Sequence, residues 1–399
     1  NNANPGTLAQ PWATIAKGIS TAGAGDTVFV RAGTYAEKLN LNGKIGTAAN
    51  RITYRNYPAE SPIIDPSSTT GAAIVRLRNC KYITIQGFEI RNFVTSSNAV
   101  TPIGIEISGS GEGIEIRDNK IHKIWQNYPV LNDFSANGHG ILVAGSSSTA
   151  ITDLLIDGNE IYDLRLGASE AVAINGNIDG FTITNNIVHH CNNIGIDVIG
   201  FEGTNSNVTL DFARNGLIAQ NEIHDIDSAY NPAYGGSLTT GGGARSAGGV
   251  YADGGALTVI ERNHIYQCNF GIEVGCENTG HNADQVIVRN NLLRHNHQGG
   301  IFVGGFSAGV GGTTNSSFTH NTLYQNDVDG VDNGQINLQN NISGTEITHN
   351  IIVCNTSTKQ FILNHTTTCT FATDSIDWNL YSGTASGSAE FEWQRHYKN

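Results

Sequence analysis

Along most of the chain, apolar and polar residues alternate in short runs that all break in the same way. The runs are KYITIQGFEI, IEIRDNKI, LLIDGNEI, FTITNNIV, GLIAQNEI, TVIERNHI, VIVRNNLL, SFTHNTLY and EITHNIIV. Each reaches an Asn, then one residue, then an apolar residue, with Gly87 standing for the Asn in the first. A period of two sends successive side chains to opposite faces, so each run reads as a short strand with one buried face. The Asn positions are read as 119, 159, 185, 221, 263, 290, 321 and 350, and the closest of them recur at 26, 27 and 29 residues. Strands repeating at this period without helices between them predict a β-solenoid of about ten coils. At a tight corner Asn tolerates left-handed backbone angles. Its amide also reaches the Asn of the next coil, which makes the column a structural ladder rather than a catalytic one.

A second strand set accompanies the first: GIEISG, GILVAG, VAINGN, GIDVIG, GVYADG, GIEVGC, GIFVGG and INLQNN. Its inward positions (Ile105, Ile141, Ile196, Val250, Ile272, Ile301) are aliphatic, and the set is expected to stack into one parallel sheet. Ahead of the array, PWATIAKGISTA carries Ile15 and Ile19 four apart, the spacing of a short amphipathic helix that would cap the open sheet end. The expected organisation is a cap over residues 1–24, the solenoid over 25–385 and a tail over 386–399.

Composition narrows the partners. The chain has 399 residues, 48 of them Gly, no Met, and a net charge of −13, which argues against a nucleic-acid partner. No apolar run approaches the roughly 20 residues of a membrane span. The six cysteines show no CxxC pair or zinc-ligand spacing, so no metal is assigned to them. Cys191 and Cys268 read as buried thiols, and Cys354 with Cys369 is the pair to test for a disulfide. His139, His189 and His190 read as surface or ladder-adjacent polar residues.

The chemistry concentrates between Gly248 and Glu277. Lining up the second strand set puts Asp197, Tyr251, Glu273 and Phe302 in one outward column on successive coils, with Asp253, Gly275 and Gly304 in the next. With strands about 4.8 Å apart, the Cα atoms of Asp253 and Glu273 are expected roughly 7–8 Å apart on a diagonal. Those of Asp197 and Glu273 are expected about 9.5 Å apart. Glu202 and Glu277 follow their strands closely enough to lean in. Like charges crowded on one wall raise at least one pKa, which suits acid catalysis at a glycosidic oxygen. Long insertions at 125–138, 200–215, 227–246 and 304–316 abut these strands and bring Trp125, Tyr234 and other rings to the rim, as a groove for pyranose faces would need.

The opening NPGTLAQPWATIAKGISTAGAGDTVFVRAGTY, the xxNxI ladder and the GIxV strands resemble the right-handed parallel β-helix proteins of the pectate-lyase-like superfamily. The resemblance covers residues 5 to about 385 and implies an all-β, right-handed parallel β-helix with a groove for an extended sugar chain. The expected function is therefore that of a secreted carbohydrate-active enzyme acting on a polysaccharide or oligosaccharide. A glycoside hydrolase is favoured, with Asp253 and Glu273 as the pair and Asp197 or Glu277 tuning or replacing one of them. Tyr251, Glu202, Arg245, Trp125, Tyr234 and Phe302 are assigned to substrate. One alternative is a polysaccharide lyase, in which the acids hold Ca²⁺, Arg245 is the base and Tyr251 the proton donor. The other is a tailspike-like shaft that only grips glycans.

Overall fold

The computed structural model describes residues 1–354, 360–364, 375–383 and 390–393. The pattern becomes a stack of parallel strands. Twelve strands form one sheet, running from Gly33–Tyr35 to Leu380–Gly383, and 27 more are hydrogen-bonded into another that turns a corner. The strand Ile103–Glu112 makes that turn, pairing first with His139–Gly145 and then with Ile151–Asp157. Each coil therefore carries three strands, and the twelve-stranded sheet counts twelve coils among the described residues, more than the roughly ten expected. The difference lies at both ends: the first coils lack the Asn signature, and the coil of Asn379 and Leu380–Gly383 follows the last repeat read from the sequence. At the other end, Glu390–Trp393 pairs with Gln360–Asn364, so strand pairing continues past residue 385. The Cys354–Cys369 pairing lies outside the described residues.

The interior follows from the alternation. Ile105, Ile141, Ile196, Val250, Ile272 and Ile301 are fully buried, one above another. Cys191 and Cys268 fill equivalent interior positions as buried free thiols. Helix Ile15–Thr21 closes the N-terminal end with Ile15 and Ile19 facing in. Thr14 caps it, and the Glu37 carboxylate accepts from the Ile15 and Ala16 amides at 2.9 and 3.0 Å, satisfying N–H groups that an α-helix leaves orphaned. No helix among the described residues is long and apolar enough to cross a membrane.

The ladder is present, with two rungs shifted and a ninth, Asn379, beyond the eight expected. Asn119, Asn159, Asn186, Asn221, Asn263, Asn291, Asn321, Asn350 and Asn379 each pass an amide hydrogen bond to the next at 2.9–3.1 Å. Thus Asn186 and Asn291, not Asn185 and Asn290, are the rungs. The residue before each rung, rather than the rung itself, takes the left-handed turn, with φ of +56° at both Asn185 and Asn290. In an Asn-Asn pair the two jobs fall to neighbouring identical residues, which the sequence pattern alone does not separate.

Candidate functional site

The column predicted from register is formed. Asp197 pairs with Tyr251, Tyr251 with Glu273 and Glu273 with Phe302, while Asp253 pairs with Gly275. Asp253 thus sits on the diagonal to both Asp197 and Glu273. The glycine floor is real: a Cβ on Gly275 would lie 2.4 Å from the Gly304 carbonyl oxygen, so only glycine lets these strands pass. The Tyr251 hydroxyl stands over that floor, 3.7 Å from the same point.

Being on the outer face does not expose these residues. Asp197, Tyr251, Asp253 and Glu273 are only 3, 4, 6 and 8% exposed. Loops fold over them. Phe201, held between His281 and Phe212 by ring contacts of 3.9 and 5.6 Å, closes one side above Gly254. Tyr234 closes another, held by Phe134 at 5.4 Å, and its hydroxyl faces the field of Glu277, Glu170 and Glu273. Glu277 and Glu202 remain exposed at the rim, where Glu202 accepts from Asn278 at 2.6 Å. The Glu277 amide donates to Asp253 Oδ1 at 2.8 Å and fixes that carboxyl.

Glu170 completes the cluster and was not anticipated. It precedes the strand Val172–Gly176, and its charge is the strongest acting on Asp197 after burial. The register held the signal. Val172 stacks through Ile196 and Val250 onto Ile272, so Glu170-Ala171-Val172-Ala173 lies in phase with Phe270-Gly271-Ile272-Glu273. Ala173, below Asp197, leaves room for the carboxyl. His139 lies beneath Glu170, with Nδ1 3.2 Å from its carbonyl oxygen and 3.6 Å from its Oε2. It is buried rather than superficial, and burial pushes its pKa down to about 4.

Electrostatics follow from burial without cations. Desolvation, reinforced by Glu277, pushes Glu273 up to about 8. Burial also lifts Glu170, Asp197 and Asp253, each with other carboxylates adding to the rise. Burial and the surrounding acids hold Tyr251 well above its ordinary value, so it stays a hydroxyl donor. Asp197 Oδ1 is buried with no hydrogen-bond partner. A buried acceptor left bare is costly, and a ligand hydroxyl would relieve that cost.

Three assignments are corrected. Trp125 belongs to the twelve-stranded sheet, in the strand Lys120–Gln126; its indole donates to the Asp163 carbonyl and stacks on Arg165 at 4.0 Å. Arg245 is not a free base, because it is ion-paired with Asp227 at 3.2 Å and Asp329 at 2.5 Å. Phe302 is in the column but 2% exposed, packed on Phe270 at 4.2 Å, so it offers no open ring to a sugar.

This coil, with its ladder and loop-covered sheet, defines a right-handed β-helix protein, and the chain belongs to that family. The family described as "Right handed beta helix region" matches residues 103–376, and "Pel9A-like, right handed beta helix region" matches residues 1–127. The chain is 37% identical over 396 residues to the uncharacterized protein YwoF of Bacillus subtilis (strain 168), covering 98% of this chain and 80% of YwoF. Among solved structures, the GH136 lacto-N-biosidase from Eubacterium ramulus shares the fold with a TM-score of 0.67 at 13% identity. That match covers 96% of this chain, which spans 66% of that protein. The alginate lyase from Paenibacillus sp. str. FPU-7 shares it with a TM-score of 0.50 at 16% identity, covering 92% of this chain and 94% of that one.

Proposed function

We propose that this protein is a secreted glycoside hydrolase acting on a neutral polysaccharide or oligosaccharide. The observation that carries the reading is the buried carboxyl cluster of Glu170, Asp197, Asp253 and Glu273, rimmed by Glu277 and Glu202, in which each acid feels the charge of other acids. Glu273, protonated at neutral pH, supplies the proton to the leaving glycosidic oxygen. Asp253, whose carboxylate form the Glu277 amide favours against the lift of burial, is the partner that meets the developing positive charge or activates water once ionised. Tyr251 donates a hydrogen bond over the glycine floor, and the bare Asp197 Oδ1 accepts one from a sugar hydroxyl. Tyr234, held by Phe134 in the field of the same acids, is assigned to the substrate as well.

An anionic polyuronate would have to pass the exposed rim acids Glu202 and Glu277 to reach this wall. That, with Arg245 held in ion pairs, favours hydrolysis over β-elimination. The lyase alternative would use Asp253, Glu273 and Glu277 as oxygen ligands of Ca²⁺, a donor set that cation accepts. The scaffold similarity to a lacto-N-biosidase supports a hydrolase on this coil, and that to an alginate lyase keeps the alternative in view. The test is a panel of neutral and uronate glycans followed by reducing ends and by absorbance near 230–240 nm, with and without EDTA. New reducing ends without unsaturated products, unaffected by EDTA, are expected. Unsaturated products that need Ca²⁺ would establish the lyase, and no product from any glycan would leave a binding shaft.

A further inference from the structure

Another face of the coil carries a second cluster that the carboxyl site does not use. In the twelve-stranded sheet His189 pairs with His224, which sets the next residues, His190 and Asp225, side by side. Both of the latter take left-handed angles, φ +53° and +54°, at a bend in their strands. One ligand atom from each of His190, His224 and Asp225 lies within 4.8 Å of the others. His224 Nδ1 is 2.6 Å from Asp225 Oδ2, and His190 Nε2 is 3.9 Å from the same oxygen.

The surroundings hold these groups in place. His122, Tyr162, His189, His224 and Tyr266 stack ring on ring up five coils, with centroids 4.7–5.1 Å apart. The stack locks the His224 ring. His189 Nδ1 lies 2.7 Å from His190 Nδ1, and His189 Nε2 lies 3.6 Å from Glu160. This chain of contacts from carboxylate through imidazole to imidazole is the outer support that metal-bound histidines use to fix their tautomer. With its Nε2 turned to Glu160, His189 presents Nδ1 to the His190 Nδ1–H, which leaves His190 Nε2 free for a ligand. A separate observation points to a ligand: a pocket of about 310 Å³ opens beside the cluster, lined by His190 and Asp225 together with Asp163, Asp227, Gln267 and His297.

We infer that His190 Nε2, His224 Nδ1 and an Asp225 carboxylate oxygen form a divalent transition-metal site, with Zn²⁺ the natural occupant and its remaining coordination open to the pocket. Two imidazoles and one carboxylate suit Zn²⁺ and its borderline neighbours, whereas Mg²⁺ and Ca²⁺ prefer all-oxygen sets. A search for ligand spacing along the chain does not find this site, because its residues come from two coils and only strand register joins them.

Titration calorimetry of the full chain with Zn²⁺ in metal-free buffer tests it. One ion per chain is expected, with a micromolar Kd that millimolar Mg²⁺ does not change. Asp225→Asn, which keeps the side-chain shape, and His190→Gln, on an exposed ring, should each weaken binding by ~10²-fold. Their melting temperatures without metal should match the parent, which separates ligand loss from misfolding. Asp253→Asn, in the other sheet, should leave the Zn²⁺ titration unchanged. Binding that survives both ligand variants, binding lost in Asp253→Asn, equal competition by Mg²⁺, or no binding below millimolar Zn²⁺ would each overturn the assignment.

Discussion

Two of the three outer faces of this coil are built on the same backbone and handle charge in opposite ways. On the face carrying Asp197, Tyr251 and Glu273, loops fold over the strands, acids gather beside other acids, and protons are retained. On the twelve-stranded face, charges are matched pairwise: Lys120 with Glu160 at 2.7 Å, Arg91 with Asp65 at 2.9 Å, and rings stack between them. The second arrangement is what a sheet does to be stable in water, since surface pairs and stacked rings satisfy themselves. The first arrangement leaves interactions unmet, as sites built for a ligand do. The contrast teaches that on a solenoid, where every coil offers similar strands, unmatched charge under a loop marks the site better than residue type does.

The sharpest way to break the contrast is to remove the unmatched groups. Asp253→Asn and Glu273→Gln should each lower kcat by at least about 10²-fold on a glycan the parent cleaves, with the melting temperature unchanged or raised as repulsion is relieved. Val250→Asn, which buries an amide in the aliphatic interior one residue from Tyr251, should instead unfold the protein. Near-full activity in both carboxyl variants would move the site to another coil.

Protonation gives the next largest effect. Glu273 titrates at about 8 in the folded chain, against an ordinary glutamate value of 4.5. The folded state therefore binds its proton more tightly, so this stability is fully present below about pH 4.5 and is lost as pH rises through about 8. Thermal denaturation should show melting falling between pH 5 and 8, and Glu273→Gln should flatten that slope. A parent whose melting temperature rises across this range would contradict the protonated cluster.

The matched face should respond the other way. Trp125→Ala, losing its stack on Arg165 and its bond to Asp163, should cost about 1–3 kcal/mol in denaturant unfolding and leave kcat and KM alone. Arg245→Ala should cost about 1 kcal/mol or less, since its ion pairs are partly exposed, with no loss of turnover. A large loss of turnover in Arg245→Ala would restore it as the base of a lyase.

Much of this was legible in the sequence. Alternation around the GIxV strands gave the outward column correctly, because parallel register repeats the same offset on each coil. The capping helix was legible from Ile15 and Ile19. Burial of the column was not, since it depends on loops such as the one bearing Tyr234 closing from elsewhere. Trp125 was misplaced because the strand after a ladder Asn belongs to the other sheet, so nearness along the chain is not nearness in space. Glu170 was missed because the strand pattern starts at its first aliphatic residue, two positions later.

The ladder keeps one spacing in space while ignoring spacing in sequence. Consecutive rungs are as few as 27 residues apart, from Asn159 to Asn186, and as many as 42, from Asn221 to Asn263, yet the amide bonds are 2.9 Å in both. The coil is thus a rack of fixed pitch from which appendages of free length hang. Inheritance of the scaffold is thereby separated from inheritance of the loops. The segment 227–246 between two rungs could be exchanged for a longer or shorter one, altering what is recognised above Asp253, while neither rung would register the change.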